Sequence, residues 1–494
     1  MNILNKEQLR ATDQYTVQVQ GIRSWDLMER AARELLKAIT REFPHGEFSI
    51  LCGPGNNGGD GLALGRMLKE KGINTQVFLL QSPKYSEDNL ENQKLLEEFE
   101  VFNLEKLPEL WPDSIIIDAL YGFGLRTGLG IEWKALFEKI EGRTCLAIDL
   151  PSGLLADELT TSPYVKADKV YSFHCPKKAF FAPEHGIESF EIIDIGLEHF
   201  GEGNYQYLAD VHLLLNQPSR FTHKGTLGQT LLVGGSKGMT GAIDLATKAA
   251  LRGGCGIVKV YGPGCTPDLP SEALVQRDIN LEYIKQTPTI DAKTTAIGIG
   301  MGMSLNGQEA LLEFLSVLPP IPLVLDADAL NILAKHPEKI PTGAILTPHP
   351  KELDRIVGTS KSSFERWEKA EKLAKKKGIY LIVKGANTHI FFPDGKILVN
   401  SSGNYGMAKG GSGDILTGLL TAILAQGYPI EKALPLGVYL HGLAGDIAAE
   451  TLGHDAMNAG DILTFLPDAW KWLRRRACTT SKYPRRSTEQ RELL

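Results

Sequence analysis

Between Lys6 and Glu42 apolar side chains recur at helical spacing, most clearly Leu27, Met28, Ala31, Leu35 and Ile39, and Ser24 with Asp26 offers a start signal. Two helices are predicted there, either a helical cap on the first domain or an oligomer contact. From Phe48 the period changes: the apolar run FSILC enters GPGNNGGDG, then the helical stretch LALGRMLKEKG, then a second apolar run, TQVFLL. Strand, glycine-rich turn, helix and strand make a βαβ signature. SIIIDAL, TCLAIDL and ADKVYSF follow as further strands, and FEIIDIG closes the first half. A polar link, GLEHFGEGNYQ, leads to a boundary near Leu208 to Pro218, after which QTLLVGG restarts the strand, turn and helix sequence. IVKVYG, TAIGIGMG, PLVLDADAL, AILTPHP and YLIVKG continue it, and THIFFPDGKILVN, with an Asp-Gly turn between β-rich runs, is predicted as a hairpin. The pattern predicts two α/β domains, at 1–210 and 218–477, and a polar, basic, disordered tail at 478–494. No repeat relates the halves, so two different domains are fused.

A chain of 494 residues, 43% hydrophobic and 23% charged, is long enough for more than one core. The net charge of -6 recommends neither nucleic acid nor an acidic membrane as a partner. The six cysteines contain no Cys-x-x-Cys pair, which fits a reduced protein without a structural zinc site. The amino terminus is too polar for a signal peptide and no apolar run is long enough to span a bilayer, so a soluble cytoplasmic protein is expected.

The densest chemical signal is GNYGMAKGGSGDILTG, where Gly410, Gly411 and Gly413 crowd ahead of an apolar helical face. Such a loop can converge several N–H groups on one point at the positive end of a helix dipole, and phosphate is the natural occupant. Asp414 stands at that helix start, either as a cap or as a reacting carboxylate. In the first half Gly53, Gly55 and Gly58 satisfy G-x-G-x-x-G, yet Leu79 and Leu80 run into Gln81 and Ser82, without the acidic residue that would hold a dinucleotide's ribose. The same turn carries Asn56, Asn57 and Asp60, whose oxygens could coordinate a hard cation or bind a substrate. Asp118 ends one strand, Asp149 and Ser152 another, and Lys177 and Lys178 follow a third; in an open parallel sheet Asn57, Asp118, Asp149 and Ser152 could share one crevice.

Through PGNNGGDG, the Asp-Ala-Leu-x-Gly run at Asp118 and Asp149-x-Pro-Ser-Gly, the first half resembles the YjeF amino-terminal family, epimerases of hydrated nicotinamide nucleotides. The resemblance implies a Rossmann-like three-layer α/β sandwich with a potassium ion on Asn57, Asp118 and Ser152. It implies substrate contacts from Asn56, Asn57, Gly58, Gly59, Asp60, from Gly122, Phe123, Gly124, Leu125, Arg126, Thr127, Gly128, and from the catalytic Asp149. Phe123 stands where relatives carry Thr, so one hydroxyl is lost from that loop.

Through HKGTLGQTLLVGGS, DADAL, LTPHPKEL, KGANT and GGSGD, the second half resembles the ribokinase-like NAD(P)HX dehydratases. That resemblance implies adenine-nucleotide contacts from Lys384, Gly385, Ala386, Asn387, Thr388 and Gly413, and contacts to the hydrated coenzyme from Ala242, Gly302, His349 and Asp414. Asp326 and Asp328 either close a strand or serve substrate or metal. The two resemblances together imply repair of damaged coenzyme: interconversion of R and S NAD(P)HX, then ADP-dependent dehydration of the S form to NAD(P)H with release of AMP and phosphate. Potassium would serve the epimerase site and Mg2+ with ADP the dehydratase. A homo-oligomer acting on NADHX and NADPHX, with no nucleic-acid or membrane partner, is expected. The rival reading is a small-molecule hydroxymethyl kinase fused to a non-enzymatic Rossmann-like binding module.

Overall fold

The computed structural model describes residues 1–198 and 203–479. Most of the tail expected to be disordered lies outside these residues; the last helix, Ala459–Thr479, ends just inside it. The chain forms two compact units, Met1–Tyr207 together with Ser362–Phe364, and the remainder from Leu208.

The first unit is built on strands β1 (Phe48–Cys52), β2 (Thr75–Leu80), β3 (Glu100–Phe102), β4 (Ile115–Ala119), β5 (Cys145–Ile148), β6 (Lys169–Phe173) and β7 (Phe190–Ile193). Their spatial order is β3-β2-β1-β4-β5-β6-β7, parallel throughout, which is the doubly wound order with its reversal between β1 and β4. Side chains alternate between two cores. Phe48, Ile50 and Cys52 join the core containing Leu35 and Ile39 of helix Ser24–Glu42 and Leu64 and Leu68 of helix Asn56–Glu70, while Leu51, Ile116 and Leu120 join the one containing Leu136 and Ile140 of helix Lys134–Ile140. The sheet is therefore buried on both faces, which is why its strands read as continuous apolar runs. Each fully buried Ile or Leu contributes roughly 1.5–3 kcal/mol. The amino-terminal helices are Lys6–Gln20 and Ser24–Glu42; Ser24 is already helical, and the Asp26 carboxylate accepts from the Arg23 N–H at 2.9 Å, so the start lies one residue earlier than the sequence signal. A short strand, β8 (Tyr205–Tyr207), ends the unit and is bridged to Asn2.

The second unit contains β9 (Gln229–Val233), β10 (Ile257–Gly262), β11 (Ala273–Arg277), β12 (Ala296–Ile299), β13 (Leu323–Leu325), β14 (Ile345–Leu346), β15 (Tyr380–Val383), β16 (Thr388–Phe391) and β17 (Ile397–Asn400). They run in the order β11-β10-β9-β12-β13-β14-β15-β16-β17. Pairing is parallel as far as β15, and β15-β16-β17 are antiparallel, with the expected hairpin joining β16 to β17. Helix Ser412–Ala425 is apolar almost all round, and its Ile415, Leu416, Leu419, Leu420 and Ile423 are buried in the main core of this unit. That burial fixes the glycine-rich loop preceding it. Mixed α/β architecture, with a sheet of parallel strands at the centre of each unit, is the fold expected from the sequence.

Candidate active sites

In the first unit the loops leaving β1, β4 and β5 meet where the strand order reverses. They line a cavity of about 880 Å3, walled by Asn56, Asn57, Asp60, Gly122, Phe123, Gly124, Leu125, Arg126 and Asp149. Gly58 and Gly59 lie beneath the helix start instead: a Cβ on Gly58 would stand 1.8 Å from the Gly53 carbonyl oxygen, and one on Gly59 would meet the Met28 side chain. Gly58 is thus what lets the helix begin directly against the strand end. Thr127 is not among the lining residues, and Gly128 packs against Ser162.

Asp149 is buried and holds φ +65°, the left-handed region that a non-glycine residue enters at a cost. Its Oδ1 is 2.5 Å from the ammonium of Lys177, and its Oδ2 accepts from the Phe123 N–H at 3.1 Å. Lys177, 1% exposed, also donates to Ser172 Oγ and to the carbonyls of Phe173 and Cys175. This pair fixes the direction of the Asp149 carboxylate. Behind the cavity, Asp118 accepts from Ser152 Oγ at 2.6 Å, from the Ser152 N–H at 2.7 Å and from the Leu120 N–H at 3.2 Å. Burial pushes the Asp118 carboxyl up to about 6, against these hydrogen bonds. Asn57 lies at the start of the helix with its Nδ2 buried and unpartnered.

Two groups in this cavity were not placed in it by the sequence. Lys177 reads in the sequence only as a strand-end lysine. Asp13, on helix Lys6–Gln20, lines the cavity too; burial and the neighbouring Asp149 push it up to about 7. Nothing in the helical pattern around it distinguishes it from a surface carboxylate.

In the second unit Gly411, at φ +97°, starts helix Ser412–Ala425. A Cβ there would also meet Leu245 at 2.5 Å, so the turn is open to glycine on both counts. Asp414 lies in the first helical turn but is not its cap, and among the described residues its carboxyl has no hydrogen bond or ion pair. Burial, then Asp326, push it up to about 7 despite the opposing pull of Lys384. Asp326, almost wholly buried, joins three elements: its Oδ1 is 2.8 Å from Lys384 Nζ at the end of β15, and its Oδ2 accepts from Thr417 Oγ at 2.8 Å on the Asp414 helix. Gly413 sits beside the same ammonium, with its Cβ position 3.2 Å from Lys384 Nζ.

His349 is the N-cap of helix Pro350–Val357: its Nδ1 accepts from the Lys351 and Glu352 N–H groups, and Glu352 accepts from the His349 N–H at 2.8 Å. Burial holds the imidazole below its usual range, with Glu352 pulling the other way. Ala242 and Gly302 form a separate pair, the Gly302 Cβ position lying 3.1 Å from Ala242 Cβ. Gly385, Ala386, Asn387 and Thr388 make the turn from β15 into β16, where Thr388 Oγ donates to the Gly385 carbonyl and Asn387 Oδ1 accepts from Ser401 Oγ. Asp328, open to either role in the sequence, accepts from the Ser304 N–H at 2.9 Å. The sequence pattern missed Thr417, Glu352 and His441, the last bonded to Ser412. Of these only Glu352 carried a signal, the capping-box spacing to His349.

Residues 230–468 match the NAD(P)H-hydrate dehydratase family, and residues 24–179 match the YjeF-related protein N-terminus family. The chain is similar to the bifunctional NAD(P)H-hydrate repair enzyme of Moorella thermoacetica, at 36% identity across 89% of this chain and 91% of the relative. The enzyme of the same description from Coxiella burnetii is 32% identical over 94% and 98%, and that from Escherichia coli 30% identical over 93% and 92%. A solved ADP/ATP-dependent NAD(P)H-hydrate dehydratase from Bacillus subtilis, co-crystallised with ATP and Mg2+, aligns at 30% identity over 54% of this chain and 98% of its own, with a TM-score of 0.45.

Proposed function

Because the chain belongs to the family of bifunctional NAD(P)H-hydrate repair enzymes, we propose a division of labour: the first unit epimerises the hydrated coenzyme, and the second dehydrates its S form with ADP as phosphoryl donor. Asp149 is the catalytic carboxylate of the first reaction and Asp414 of the second. The observation that carries the second assignment is an unpaired, largely buried carboxyl in the first turn of a glycine-led helix, next to the Lys384–Asp326 pair.

The chemistry follows from what the ring can do. The hydroxyl of the hydrate is a poor leaving group, and phosphorylation makes it a good one. Asp414, ionised, would take the hydroxyl proton as the oxygen attacks the terminal phosphorus. N–H groups at the Gly410–Gly413 turn and the Lys384 ammonium would stabilise charge on the transferred group. The ring nitrogen then expels phosphate, restoring the double bond and leaving AMP and NAD(P)H. The Asp326 oxygens pair with Lys384 and Thr417, and Mg2+ would come in on phosphate oxygens, the mode it favours, where it would neutralise their charge. Gly385, Ala386, Asn387 and Thr388 are assigned to the nucleotide, and Ala242, Gly302 and His349 to the coenzyme.

In the first unit potassium fits the donor set. Among the described residues no group of three or more His, Cys, Asp or Glu gathers to hold a metal; Asn57, Asp118 and Ser152 offer one buried carboxylate and neutral oxygens. Among the described residues no ammonium or guanidinium is paired with Asp118, so a monovalent cation would supply its missing countercharge. Asn56 to Asp60, Gly122 to Gly128 and Asp149 are assigned to the substrate.

Incubating the full chain with R and S hydrates and ADP or ATP, while following recovery of reduced-coenzyme absorbance, tests the whole reading. Recovery from both epimers with ADP is expected. Accumulation of a stable phosphorylated product would instead establish a kinase.

A further inference from the structure

Helix Lys6–Gln20 lays one face, Leu9, Arg10, Asp13, Gln14 and Val17, along the cavity of the first unit, while the loops leaving β1, β4 and β5 form the wall at the strand ends. The helix is anchored. Asn5 and Gln8 close a capping box at its start, the Lys6 N–H donates to Asp157 at 3.1 Å, and Arg10 Nη2 donates to the Gly124 carbonyl at 3.3 Å. Its position against the Gly122–Gly128 loop is therefore set, and with it the position of Asp13.

Two carboxyls in this cavity stand in opposite situations. Asp149 is committed to Lys177 and to the Phe123 N–H. Asp13 is half-buried and, among the described residues, has neither an ion pair nor a hydrogen bond. A carboxyl facing a largely apolar cavity with no partner on the protein is either left unsatisfied or serves what enters the cavity. We propose that Asp13 is a second catalytic carboxyl of the first unit, the acid that protonates the departing hydroxyl, with Asp149 as the base that receives the proton of the incoming water.

The inference rests on the epimerase reading, and the step balances with water alone. The hydroxyl of the hydrate sits on the ring carbon bonded to the ring nitrogen. Asp13 gives its proton to that oxygen, the C–O bond breaks, water departs, and the nitrogen lone pair forms an N=C bond. The carbon is then planar. Water adds to its other face, the electron pair returns to nitrogen, and Asp149 takes the surplus proton. One water leaves, one enters, and nothing is oxidised or reduced; proton exchange with solvent resets the two carboxyls. Burial and then the Asp149 carboxylate push the Asp13 carboxyl up to about 7, with Lys177 opposing them, which suits Asp13 to the acid's role. The other titratable groups lining this space are Arg10, Asp60, Lys84, Tyr85, Tyr121, Arg126 and His174. Burial, with Asp149 and Asp13 adding to it, raises the Asp60 carboxyl well above its usual range.

The test uses the full chain and the rate of R to S interconversion. Asp13→Asn is expected to lower kcat for epimerisation by roughly 100- to 10,000-fold with KM little changed, and Asp13→Glu to regain part of it. In wild type kcat falls as the pH rises through about 7, because the acid must be protonated; Asp13→Asn loses that fall. Asp13→Asn within tenfold of wild type overturns the proposal, as does a wild-type profile flat between roughly pH 6 and 8, a readout that stands even if the variant does not fold. Failure of wild type to accelerate interconversion would overturn the epimerase reading itself.

Discussion

Asp414 and Asp118 are both carboxyls raised by burial, and they call for different experiments. Asp414→Asn keeps shape and the Gly411 turn but removes the base, so dehydration should fall by roughly two to four orders of magnitude while nucleotide binding survives. Its raised pKa gives the sign of the pH dependence: the ionised form is the active one, so dehydratase kcat should climb as pH rises through about 7 and level off above it. A mutant within tenfold of wild type removes Asp414 from the chemistry. For Asp118, epimerase rates compared in potassium, in sodium and in a bulky organic cation should be highest in potassium; equal rates in all three would dismiss the ion. Single residues stand out in the sequence when a turn motif announces them, as Asp149 and Asp414 do. Asp326 was visible but ambiguous, because a strand-end carboxylate looks alike whether it caps or bridges. Asp13, Thr417 and His441 were not legible, since their significance comes from residues distant in sequence that folding brings beside them.

At the level of elements, the apolar runs gave most of the sheet. Those of β1, β2, β4, β5 and β6, and of β9, β10, β12, β13, β14 and β15, fall where continuous hydrophobic stretches predicted strands. The pattern missed β3, two of whose three residues are exposed, and β11, where Gln276 and Arg277 face solvent, because edge positions need not be apolar. The turn after β1 makes a sharp demand. Alanine at Gly58 would place its methyl 1.8 Å from the Gly53 carbonyl oxygen, a backbone atom that cannot swing aside. Gly58→Ala should therefore destabilise the first unit by more than about 3 kcal/mol, lowering its melting transition by roughly 10 °C while that of the second unit stays in place. Unchanged melting would mean that the helix start can shift along the strand end.

For the whole molecule, two separate cores imply two separable activities. Asp149→Asn, whose side chain tolerates the left-handed backbone, should stop epimerisation and leave dehydration of the S form intact. Asp414→Asn should do the reverse. Mixed in equal amounts, the two variants should convert R hydrate to reduced coenzyme, because the epimerised hydrate can diffuse from one molecule to the other. A mixture no faster than Asp149→Asn alone would show that the intermediate is passed within one chain.

The ion pair between Asp149 and Lys177 reaches beyond the reaction. Losing the carboxylate strands an ammonium that is 1% exposed, and breaking one side of such a pair costs a fold about 3–5 kcal/mol. A lineage that abandons epimerisation therefore cannot let Asp149 drift to an apolar residue while Lys177 stays. The two positions are bound to change together or in quick succession, so the historical record of the lost activity would be written at the lysine as well as at the carboxylate.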